Sequence, residues 1–164
     1  MFFFFFNDEK VTAITLANYI LKRAEGKEPV TNLKLQKILY YVQGYFLATF
    51  DRPLFPDKIQ AWKFGPVVPS VYYEFSSYGP DPLRKTEDTT DAVKSACTHQ
   101  EIELINRVID QKLKLKAGTL VNDTHKEAPW MNATSSGRVI CPNTEISTDS
   151  MKEYFRTQGD KLNA

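Results

Sequence analysis

Apolar residues recur along this chain at helical spacing, in stretches separated by polar breaks that carry proline or glycine. That pattern predicts a mainly α domain. Between Val11 and Gly26, the residues Ala13, Ala17, Ile20, Leu21 and Ala24 fall on one face, and Gly26 marks a stop. Asp8 and Glu9 precede this stretch and suit the positive end of a helix dipole. Thr31 or Asn32 can cap the next stretch, LKLQKILYYVQGYFLATF. There Leu35, Ile38, Leu39, Val42 and Phe46 make one stripe, which Tyr41, Tyr45 and Ala48 widen. Only Lys34, Lys37 and Gln43 read as clearly polar, so this helix is expected at the centre of the domain, covered on several sides. The same lysines and glutamines interrupt the run and exclude a membrane span.

After the turn at Asp51-Arg52-Pro53 the period changes to two. Ile59, Ala61 and Lys63 alternate with Gln60, Trp62 and Phe64, which predicts a short strand ended by Gly65-Pro66. Because the first face carries a lysine, Trp62 and Phe64 are expected to pack inward, against Leu39 and Tyr45. Proline has no N–H to donate, so Pro66 and Pro69 fit if a helix begins between them and runs to about Tyr78. Val68, Val71, Tyr72 and Phe75 would then face the core. Lys63, Ser70, Tyr73 and Glu74 would face solvent near the turn, with Tyr73 shaped as an interface anchor.

Residues 80–97 are polar and aperiodic and are expected as one surface loop. Thr98 and Glu101 have capping-box spacing and open a helix to about Lys116, closed by Gly118. TLVNDTHKEAPW reads as a short helix stopped before Pro129, RVICP as a brief strand, and Ser147 as the start of a last helix. The expectation is a single domain over residues 11–160, with five or six helices and a two- or three-stranded β element. An irregular Phe-rich leader, residues 1–10, precedes it.

Composition acts mainly by exclusion. A net charge of +1 on 164 residues gives no drive toward nucleic acid, which is not expected as a partner. The leader has five consecutive phenylalanines but no basic start, and a secretory core needs roughly 7–15 apolar residues, so a cytoplasmic location is expected. Two cysteines without a C-x-x-C pair give no disulfide framework and no zinc site. His125-x-Glu127 lacks the P-C-x-x-C that a zinc deaminase requires. Phosphate loops, H-E-x-x-H and G-x-S-x-G are absent. No metal, cofactor or catalytic residue is therefore expected, and the protein is not expected to be an enzyme. The weakest alternative is a thiol hydrolase pairing Cys97 with His99, or Cys141 with His125. A DNA-binding regulator of its own operon is a further alternative, motivated by Lys112, Lys114 and Lys116; those lysines also suit the negative end of a helix.

The stretch AWKFGPVVPSVYYEF, Ala61 to Phe75, can be core filling, a protein-binding surface or a base-stacking platform, although Lys58 and Lys63 are few for the last. The run TNLKLQKILYYVQGYFLATFDRPLF followed by IQAWKFGPVVPSVYYEFSSYG resembles the Panacea antitoxin family, which includes SocA-like and GepA-like phage-associated proteins. Leu33, Leu35, Lys37 and Tyr40 lie in its L-K-L-Q-K-L-L-Y pattern, and Ala61, Trp62, Gly65, Pro66 and Val67 in its A-W-x-x-G-P-V. Thr124-His125 with Trp130 is similar to its S/T-H-x-x…W element. The resemblance spans about residues 11 to 160 and brings no catalytic residues with it. It implies a cytosolic antitoxin that neutralises a toxin, encoded by the adjacent gene, through direct contact; one branch of the family delivers its toxin to a ClpXP-type protease.

Overall fold

The computed structural model describes residues 11–163, so the leader lies outside the described residues. Helix α1 (Ala13–Ala24) and helix α2 (Asn32–Phe50) each open on a threonine whose hydroxyl accepts a main-chain N–H. Thr12 takes it from Thr15, and Thr31, of the two candidates, from Lys34. Gly26 follows α1 with φ 73°, a conformation that ends a helix at little cost for glycine.

Helix α2 runs through the centre, with Leu35, Ile38, Leu39, Tyr40 and Phe46 fully buried. Burial extends to its polar positions Asn32, Lys34, Gln36, Lys37 and Gln43, in keeping with a helix covered on several sides. They stay buried because each has a hydrogen-bond partner. Gln43 accepts from the main-chain N–H of Leu54 (2.9 Å) and donates to the carbonyl of Phe55 (2.8 Å), pinning the segment after α2. Lys34 donates to the carbonyl of Leu113 (2.7 Å).

Around α2 pack helices α5 (His99–Leu113), α6 (Ala117–His125) and α8 (Thr148–Arg156). The capping box of Thr98 and Glu101 opens α5 as expected. Helix α8, capped by Ser147, packs on α2 with the Phe155 ring over Gly44. That ring meets Tyr45, Tyr40 and Tyr41 edge-on at centroid distances of 4.8, 5.4 and 5.9 Å.

The fold is the mainly α single domain expected, with nine α-helices among the described residues. The count exceeds five or six because several helices are one or two turns long, too short to show a period. The segment 80–97 is not one loop: it holds helix α4 (Thr90–Ala96), and Leu83 and Val93 are buried. It is stitched onto α1 by Thr86 donating to Asn18 (2.8 Å) and Thr89 to the carbonyl of Thr15 (2.7 Å). Gly118 lies inside α6 and does not close α5. Pro129 takes an early position in α7 (Ala128–Ala133), where its missing N–H has no helical partner, so it opens a helix instead of stopping one. RVICP forms no strand; the pairing lies just beyond it, where Thr144 accepts from Ala61 and Ile146 donates to Ile59, both at 2.8 Å. Helix α9 (Gly159–Asn163) ends the described chain.

A Cβ at Gly44 would come within 2.1 Å of the Phe155 ring. Gly44→Ala is therefore expected to lower stability by about 1–3 kcal/mol through overpacking. Gly118→Ala, facing open space within a helix, should change it by less than about 1 kcal/mol, in the favourable direction. Urea unfolding of the two variants checks both.

Candidate partner-binding surface on the hairpin

Strands β1 (Gln60–Trp62) and β2 (Gly65–Val67) pair antiparallel, with Trp62 opposite Gly65, so Lys63 and Phe64 form the turn. Gly65 and Pro66 thus begin a second strand where the sequence suggested an end. Gly65 has φ 106°, and a Cβ there would sit 2.7 Å from Thr124 Oγ1 and 2.8 Å from Lys37 Cε. Only glycine meets both conditions.

The expected faces of β1 are reversed. Ile59 and Ala61 are buried, Trp62 is half-buried, and Phe64 is 59% exposed. Lys63 belongs to the turn, so its charge says nothing about the face that carries Ile59 and Ala61. Helix α3 (Pro69–Glu74) starts at Pro69 as expected and continues as a 3₁₀ turn, Ser76–Tyr78. Val68, Val71 and Phe75 are buried, while Tyr72 stays half-exposed beside Trp62.

The resemblance residues converge behind this hairpin. Trp130 Nε1 donates to the carbonyl of Trp62 (2.9 Å), and Lys37 Nζ to that of Pro66 (3.0 Å). His125 Nε2 lies 3.1 Å from the carbonyl of Lys63, which can only accept, so this nitrogen carries the proton. The imidazole also stacks on Trp130 at 4.2 Å. Gln36 accepts from the N–H of Val68 (2.9 Å) and donates to Asn32, which donates to the carbonyl of Tyr72 (3.0 Å). Leu35 and Val67 are core residues, and Pro66 is buried with them. Glu127 accepts from Tyr40 (3.1 Å) and Tyr41 (2.9 Å), anchoring the α6–α7 junction to α2.

Burial sets the electrostatics of this layer. It pushes the Glu127 carboxyl up and the His125 imidazole down from their ordinary ranges. The Lys37 amine, enclosed with no carboxylate partner, is lowered to about 7.

The front is apolar. Trp62, Tyr72 and Tyr73 form a ridge with centroid separations of 5.0 to 6.2 Å. One groove, of about 300 Å³, runs between Tyr73 and Ile140; the other, of about 350 Å³, runs between Leu33 and Phe64. These four, with Val139 next to Ile140, are the large apolar side chains most exposed among the described residues. Of the four side chains expected at the surface, Lys63 and Tyr73 meet in one groove, whereas Ser70 and Glu74 are exposed but line neither. Ser70 instead donates to Asp57 (2.6 Å), which also accepts from the N–H of Ala13 (2.9 Å) and so ties α3 to α1. Sequence reasoning missed Phe64, Val139 and Ile140. The two-residue turn would have exposed Phe64, whereas Val139 and Ile140 read as part of a brief strand that does not form.

A small helical domain thus fixes a hairpin from behind and leaves aromatic side chains exposed on its front. The chain matches the family described as Antitoxin SocA-like, Panacea domain, over residues 35–131, and it belongs to that family. It is 34% identical over 160 residues to antitoxin SocA of Caulobacter vibrioides (strain NA1000 / CB15N), across 92% of this chain and 85% of that protein. No solved structure matches it.

Lys37 gives a testable pH dependence. Its ordinary value is 10.5 and its folded value about 7, so between these the unfolded chain binds more protons and stability rises with pH. The stability of the natural protein relative to Lys37→Met should climb from about pH 7 to about pH 9, by at most about 1.4 kcal/mol per pH unit. Urea unfolding across that range measures it; a difference that stays flat would mean the buried amine titrates normally.

Proposed function

We propose that the protein neutralises a toxin in the cytoplasm by direct contact, without catalysis, through the hairpin surface. The observation that carries this is the cluster of exposed apolar side chains on a hairpin whose backbone is fixed from behind. Aromatic anchors on a rigid support bind well because little conformational freedom is lost on docking. Lys63 and Tyr73 lie at the centre of the surface, with Ser70 and Glu74 at its edge. The partner is a toxin encoded by the adjacent gene, either blocked in place or handed to a ClpXP-type protease.

Several features support binding over chemistry. The Cys97 thiol is pushed up to about 11, chiefly by burial, which leaves little thiolate at neutral pH. His125 is engaged with the hairpin backbone and Trp130. The basic run Lys112, Lys114 and Lys116 is also smaller than it reads, because only Lys112 lies on α5, its ammonium is 3.9 Å from the centroid of the Tyr41 ring, and burial lowers its pKa.

Co-expression with the adjacent open reading frame tests the function: a product that is toxic alone should be silenced by this chain and co-purify with it. A product harmless alone that does not co-purify would remove the antitoxin reading. Phe64→Ala and Tyr73→Ala should leave the melting temperature nearly unchanged, since both side chains are mostly exposed, at 59% and 65%. Each should weaken toxin binding by about 1–3 kcal/mol in calorimetry.

A further inference from the structure

The two grooves share a floor and a single charge. Trp62 and Lys63 line both, and Lys63 is the only charged side chain in either lining. Among the described residues Lys63 makes no ion pair, and its ammonium rests 5.6 Å from the centroid of the Phe64 ring. The nearby charges Lys58 and Glu145 pair with each other at 3.5 Å, and the Arg138 guanidinium donates to the carbonyl of Ser135. The surface therefore offers two apolar recesses on either side of an aromatic ridge, with a cation between them that has no ion-pair partner among the described residues.

Building on the docking reading above, we infer that the toxin presents one segment with two bulky apolar side chains and an acidic residue between them. One apolar side chain enters the groove beside Ile140 and the other the groove beside Leu33. The carboxylate meets Lys63, where the surrounding apolar surface strengthens the pair once water is displaced. A basic or uniformly polar segment does not fit, because it would leave Lys63 unpaired and the recesses empty. The arrangement requires both grooves to act together, which a single hot spot would not.

The test is calorimetric titration of the full chain with the protein encoded by the adjacent open reading frame, at low and moderate salt. Circular dichroism melts first establish that each variant folds. Ile140→Lys and Leu33→Lys should each weaken binding about ten-fold or more. Lys63→Gln should weaken it several-fold and flatten its salt dependence, and Lys63→Glu should weaken it further. If Phe64→Ala and Tyr73→Ala retain full affinity, the docking surface itself is misplaced. If those two weaken binding but one groove variant is neutral, or Lys63→Glu binds as tightly as the natural protein, the surface stands and the two-pronged acidic segment is excluded. A concentration-dependent dimer dissolved by the groove variants would assign the grooves to a second copy of this chain. A full-chain Phe3→Ser, Phe5→Ser variant that binds more than about ten-fold tighter would assign them to the leader.

Discussion

A buried polar group must find its hydrogen bonds inside the protein, and α2 buries five polar side chains at once. None of the five is wasted on solvent. Lys34, Lys37 and Gln43 reach main-chain groups of the end of α5, of β2 and of the segment after α2, while Gln36 and Asn32 form a short relay to Val68 and Tyr72. Leaving any one of these partners unmade would cost about 1–3 kcal/mol. Helix α2 therefore does more than fill the core with its apolar stripe. Its polar positions specify where the segment after it, the hairpin, α3 and the end of α5 must lie.

The segment from Thr124 to Trp130 closes the same arrangement from the other side. Its imidazole and indole hold two consecutive carbonyls of the hairpin, while its carboxylate holds two consecutive tyrosines of α2. Three stretches far apart in the chain thus meet in one layer. Gly65 lies where they meet, since a Cβ there would run into both Thr124 and Lys37.

What the sequence revealed follows the strength of each local signal. The stripe Leu35, Ile38, Leu39, Val42 and Phe46 placed the central helix, and Thr98 with Glu101 placed the start of α5, because periodicity and capping are properties of neighbouring residues. The buried amine of Lys37 was invisible, since its acceptor lies 29 positions away. Leu83 and Val93 are isolated in a polar stretch and show no period, so α4 was read as loop. Lys63 misled by chemistry: a charge next to a strand looked like a mark of the outer face, yet the residue had already entered the turn. Tyr73 was legible as exposed, whereas the loop that faces it across the groove was not.

The hairpin is held through its carbonyls, and a carbonyl is the same whichever side chain its residue carries. His125 grips the main chain of Lys63, not its ammonium, and the Phe64 ring stands mostly in water. The shape of the tip is thus encoded by residues other than those displayed on it. Substitutions at Lys63 and Phe64 can change what the tip displays while the scaffold beneath stays in register. The chemistry displayed at the tip can thus vary one substitution at a time, without passing through unfolded sequences.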